Sequence, residues 1–129
     1  QSGDLSCNDI VSEVCKWLSE RCQALEKAGV SANSISIDPG IGFGKTLEHN
    51  LELLRSLSNV RVEDCPILVG LSRKTMIGKM TGQSVDSRLS GSLAALLLAL
   101  HNGADLVRVH DVAESMDVLR VWSAYSARE

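Results

Sequence analysis

Residues 37–46, IDPGIGFGKT, decide the fold. Ser34, Ile35, Ser36 and Ile37 lead into them. Then come Asp38, Pro39, glycines at alternate positions (Gly40, Gly42, Gly44), and Lys45-Thr46 opening a helix. Strand, polar glycine-rich loop, helix is the grammar of a βα unit. It sets an acid at the mouth of a sheet, beside exposed backbone N–H groups. Two later segments repeat that grammar.

Upstream, residues 6–28 predict a helix. Ser6 with Asp9 resembles a capping box, and Ile10, Val14, Leu18, Cys22 and Leu25 form an apolar stripe. Gly29 is a natural stop. Residues 30–34 are a linker and 34–37 a short strand. Downstream, a second helix is expected over 46–58, capped by Thr46 and lined by Leu47, Leu51, Leu54 and Leu57. Residues 60–64 connect it to a continuous apolar run, 65–71, as in a strand buried on both faces of a parallel sheet. The run ends in Ser72-Arg73-Lys74-Thr75, followed by a short helical turn broken at Thr81-Gly82. A third long helix is expected within 84–102, strongest from Leu89, with Leu93, Leu96, Leu97 and Leu100 on its core face. Gly103 ends it, 105–109 form the third strand, and 113–127 the last helix.

Alternating strands and helices argue for a parallel sheet of βα units. Strand starts near residues 34, 66 and 105 give the rhythm of an eightfold βα barrel, whose ordinary length is ~250 residues. With 129 residues, the expected architecture is the C-terminal part of a TIM (β/α)8 barrel. It would hold about three parallel βα units plus a leading helix, in a single partial domain over 1–129. Three strands cannot close a barrel, so their edges need covering.

A net charge of −3 carries no nucleic-acid footprint, and 44% hydrophobic residues suffice for one core. No apolar run reaches the ~18 residues of a membrane span. The N-terminus has neither the basic nor the apolar region of a signal peptide, and it lacks a starting Met, as a trimmed or partial chain would. Cys7, Cys15, Cys22 and Cys65 make no CxxC pair and read as reduced cytosolic thiols, so a cytoplasmic protein is expected.

The chemistry gathers at the carboxyl ends of the strands. The first presents Asp38, the second Ser72, Arg73 and Lys74, the third Arg108, His110 and Asp111. In βα barrels that face holds the active site, and its last loops often bind phosphate. Cations there suit an anion; Asp38 suits a ligand offering N–H donors in a fork. Each residue also has a plainer reading. Asp38 before Pro39 can initiate a turn. Arg73 and Lys74 can be solvated charges at a helix start, and His110 structural. The glycines can serve backbone geometry alone. Arg108, inside an apolar strand, needs a partner. Joint placement at three strand ends favours a site. Gly44-Lys45-Thr46 mimics the end of a P-loop, but the first glycine of that pattern falls on Pro39, which offers no N–H to a phosphate.

Four segments, IDPGIGFGKT, LVGLSRKT, RLSGSLAALLLAL and VRVHDV, occur in the order and at the separations of one family. From about Ile10 to its end, the chain resembles the C-terminal half of dihydropteroate synthases, the sulfonamide-targeted enzymes of folate biosynthesis. The resemblance implies a βα-barrel transferase. It would join 4-aminobenzoate to 6-hydroxymethyl-7,8-dihydropterin diphosphate, release pyrophosphate and use magnesium, as a homodimer when intact. It implies that Asp38 grips the pterin amino and ring N–H groups and that Lys74 contacts the pterin and reaches towards the aminobenzoate. Gly70 would pack near the ring, with Gly42 and Phe43 walling the pocket. Arg73 and Thr75 would lie beside the aminobenzoate; many members carry serine where Thr75 stands. Arg108 and His110 would hold the diphosphate, with Arg108 also stacking on the pterin face. Asp38, Lys74 and Arg108 would be catalytic. The protein ligand of magnesium, further pterin contacts and two mobile loops would come from the family's first five strands, so this chain alone is expected to have little or no activity. Other readings are a methyltetrahydrofolate methyltransferase-like barrel, a non-catalytic barrel fragment serving interaction, and a nucleotide-binding P-loop protein.

Overall fold

The computed structural model describes residues 7–127, with side chains from residue 10 onward. The Ser6–Asp9 capping box and the side chain of Cys7 therefore lie outside the described residues. The elements in order are α1 (Cys7–Lys27), α2 (Leu47–Arg55), β1 (Leu68–Val69), α3 (Thr75–Thr81), α4 (Leu89–His101), β2 (Leu106–Val107) and α5 (Val112–Ser126). Short 3-10 turns occupy Ala32–Ser34, Leu57–Val60 and Val85–Ser87.

Strands β1 and β2 pair in parallel, Leu68 opposite Leu106 and Val69 opposite Val107. The segment before Asp38 joins the same sheet through one parallel bridge, Ile37 to Ile67. Its strand is shorter than the expected 34–37, because the turn at Ala32–Ser34 uses up the residues before Ile35. All three segments run the same way, so their carboxyl ends share one rim.

Ile67, Val69 and Leu71, alternate residues on one face of the second segment, are all core, whereas Leu68 on the other face is only partly buried, so the burial on both faces expected of the unbroken apolar run is incomplete. Helix α1 lays Ile10, Val14, Leu18 and Cys22 on that core, while Leu25 of the same expected stripe is exposed. Complete burial of Ile67 and Leu53 each contributes about 1.5–3 kcal/mol.

Two predicted helix faces are corrected. In α2 the buried residues are His49, Asn50, Leu53 and Leu54, with Leu57 beyond its end, whereas Leu47 and Leu51 are only partly covered. In α4 the buried face is Ser92, Ala95, Leu96 and Ala99, and Leu97 is 43% exposed. Helix α4 is apolar nearly all round, so periodicity could not choose its inner side. Small residues face inward because close approach is what that face requires. A Cβ on Gly91 would stand 2.6 Å from Ile77 Cγ2 of α3. The breaker expected at Thr81-Gly82 is present: Gly82 adopts φ 74 and closes α3.

Candidate functional site

The rim of the sheet brings together Asp38, Gly70, Lys74 and Arg108. Asp38 follows the first strand segment, and its Oδ1 accepts from the Gly40 N–H at 2.8 Å. That is the turn its position before Pro39 predicts, and it leaves Oδ2 facing Arg108 Nη1 at 4.0 Å. Asp38 is the partner that a charge in an apolar strand needs, although the contact is long. The Arg108 side chain is 55% exposed, because β2 has a strand on one side only. Its guanidinium lies across Gly70, where a Cβ would meet Cζ at 2.8 Å.

Lys74 crosses from the second strand's loop to the first. Its Nζ donates to the Ile41 carbonyl at 2.7 Å and sits 4.0 Å from the centroid of the Phe43 ring. Its stem passes Gly42, where a Cβ would meet Lys74 Cδ at 2.7 Å; at φ 92 that glycine has no easy replacement. Burial lowers the Lys74 pKa; Asp38 opposes that shift, and the neighbouring Arg108 and Lys45 add to it. Three cations thus surround one carboxylate, an excess of two positive charges (3 − 1) over the named groups. An anion entering here relieves repulsion as well as gaining contacts.

The remaining predicted residues take different places. His110 sits with Ser72, its N–H donating to the hydroxyl at 3.3 Å and its Nδ1 3.0 Å from it. The Arg73 guanidinium turns to Asp111, donating at 2.7 and 3.3 Å, rather than to the Asp38 cluster. That pairing raises the arginine pKa and lowers the carboxylate's. Thr75 begins α3 and lines a hollow with Gly42, Asn50 and Lys79.

The loop 40–45 is not a phosphate cradle. Its Gly42 N–H donates to Asn50 Oδ1 at 2.8 Å, and its Phe43 N–H to the Gly40 carbonyl at 3.1 Å. Lys45 folds back onto the carbonyls of Gly40 and Phe43, at 3.0 and 3.2 Å. Two of the amides and the ammonium that a nucleotide would need are thus already engaged. Asn50 was missed from sequence. A buried Asn in a leucine-rich helix stripe was the available signal, since such an amide must be satisfied somewhere. Among the described residues no group of three or more His, Cys, Asp or Glu side chains could hold a metal ion.

A family model described as pterin binding enzyme matches residues 1–110. The chain belongs to the pterin-binding enzyme family. A dihydropteroate synthase of Neisseria meningitidis serogroup C is 45% identical over 118 residues, which make up 90% of this chain and 42% of that protein. The solved structure of Xanthomonas albilineans dihydropteroate synthase with 4-aminobenzoic acid superposes with TM-score 0.90 at 47% identity, covering 94% of this chain and 45% of that one. The same enzyme in complex with 7,8-dihydropteroate gives 0.92 at 44% identity, covering 100% of this chain and 49% of that one. This member of the pterin-binding family therefore spans less than half the length of these relatives. The family likeness read from four motifs is borne out, and the parallel βα arrangement is part of a barrel.

Proposed function

We propose that this chain supplies the pterin and diphosphate side of a dihydropteroate synthase site, as three βα units and a leading helix forming one partial barrel domain over 1–129. The supporting observation is the cluster of Asp38, Lys74 and Arg108 at one rim, with Gly70 leaving room for the arginine. In this reading Asp38 accepts from the donor edge of the pterin, while Lys74, Gly42 and Phe43 wall the ring. Arg108 and His110 face the diphosphate, and Arg73 and Thr75 border the aminobenzoate.

The reaction forms a C–N bond from the aryl amine lone pair to the pterin methylene. The C–O bond breaks, its electron pair leaves with pyrophosphate, and the amine gives up one proton. Arg108, with His110, stabilises charge growing on the departing oxygen, and contacts to the ring, Lys74 among them, hold the methylene in line. Magnesium, implied by the resemblance, would shield the diphosphate when bound. Asp38 is the rim's lone carboxylate in that cluster and is already shared between Gly40 and Arg108, so the described residues do not themselves form its site.

The intact protein is proposed to be a cytoplasmic homodimer. Among the described residues no helix is long and apolar enough to cross a membrane. Leu97, Leu98, Val121 and Tyr125 make an exposed apolar face on α4 and α5 that suits pairing, and light scattering tests it.

Calorimetry with dihydropterin diphosphate, methyltetrahydrofolate and ATP tests the function. Binding of the first alone is the expected result. Preference for methyltetrahydrofolate would favour the methyltransferase-like reading, and tight ATP binding would revive the P-loop. Pyrophosphate release by a purified monomer, given both substrates and magnesium, would refute the assignment of only half a site to these residues.

A further inference from the structure

The turn that delivers Lys74 is held from α4. Arg73 has φ 60, one of two non-glycine positive values among the described residues, and a Cβ makes that conformation unfavourable. Its N–H donates to Ser92 Oγ at 2.9 Å, and Ser92 is only 6% exposed. One helical turn earlier, Arg88 Nη1 donates to the carbonyls of Arg73 at 3.1 Å and Lys74 at 3.5 Å. Both sides of the Arg73 residue are therefore pinned by one helix end. Its direction sets where Lys74 leaves the chain, and Lys74 must span to Ile41 and Phe43.

We propose that Ser92 is a positioning residue: its hydroxyl holds the Arg73 peptide in the left-handed conformation and so aims Lys74 at the ring-binding mouth. The inference rests on the pterin reading above. A merely structural Ser92 would satisfy a backbone N–H and stabilise the fold without affecting where Lys74 points. The two differ in what its removal does to ligand binding and to the contact between Lys74 and Phe43.

The test compares the unsubstituted chain with Ser92→Ala, Ser92→Thr and Ala99→Gly. The last is a buried site on the same helix, away from the turn, and it serves as the stability control. Calorimetry with dihydropterin diphosphate should show Ser92→Ala weakened about tenfold, equivalent to about 1.4 kcal/mol. Ser92→Thr, which keeps the acceptor oxygen, should restore most of the affinity, and Ala99→Gly should lower Tm without weakening binding. Without ligand, NMR should show the Lys74 side-chain protons losing their ring-current shift from Phe43 in Ser92→Ala alone. Wild-type affinity and an unmoved Lys74 signal in Ser92→Ala, with only Tm reduced, would overturn the inference. No binding by the unsubstituted chain would overturn the pterin reading instead, and the Lys74 signal would still decide the role of Ser92.

Discussion

The Arg108 guanidinium lies where a side chain on Gly70 would have to go: a Cβ there would stand 2.6 Å from Nη2 and 3.1 Å from Nε. The contact is with the far end of a flexible, exposed chain, so Gly70→Ala displaces the arginine rather than the backbone. Stability should change by less than about 0.5 kcal/mol. Affinity for dihydropterin diphosphate should fall about tenfold, as expected when a charge-assisted contact is lost. Thermal melting and calorimetry on one preparation separate the two effects.

Asn50 ties the glycine loop to α2, accepting from Gly42 at 2.8 Å and donating to the Lys45 carbonyl at 3.5 Å. In Asn50→Ala a part-buried N–H loses its acceptor. The expected cost is about 1–3 kcal/mol in urea denaturation. Release of the loop should also move Phe43 away from Lys74, read as a changed chemical shift of the lysine side chain.

Lys74 should titrate below the 10.5 of an ordinary lysine, because burial disfavours its charge and Arg108 and Lys45 repel it, with Asp38 only partly compensating. The unfolded chain then holds that proton to higher pH than the fold does. This lysine's contribution to stability therefore rises with pH between the folded and unfolded pKa values. Anion affinity runs the other way: it is complete below the folded pKa and is lost as pH rises through it. Calorimetry across the alkaline range should show this limb in the native chain and its absence in Lys74→Ala.

Asp105 closes the opposite end of the sheet. Its Oδ2 accepts from the Ile67 N–H and from Arg61 Nη1, each at 3.0 Å. The Ile67 bond first, and then Arg61, lower its pKa from 3.8. A depressed carboxylate stabilises above its unfolded pKa, and that stabilisation is lost as pH falls through the folded one. Asp105 is 45% exposed, so solvent screening limits the effect to about 0.5–1 kcal/mol. Asp105→Asn should lose that amount near neutrality and show a flatter acid limb in melting temperature against pH.

Much of the site was legible because its parts are local. Asp38 before Pro39 announced a turn, the apolar run before Gly70 a buried strand, and Thr46 a cap, which the His49 N–H confirms at 3.1 Å. Leu97 and Leu25 were misplaced because an apolar residue at helical spacing states a preference for burial, while the available inner area decides which ones obtain it. Arg108 in an apolar strand needs a partner and has one in Asp38, but only the structure shows that the edge position of β2 leaves it half in solvent.

By itself the sequence determined the order of strands and helices and the set of charged groups at the strand ends. Hydrophobic period, glycine and proline act over a few residues, and parallel strands then send their ends to one rim. Only the tertiary structure decided which polar side chains hold that rim in shape: Asn50 on Gly42, eight residues away, and Ser92 on Arg73, nineteen away. A buried amide or hydroxyl must find a partner, but nothing local names it; the packing of one helix against another's loop does.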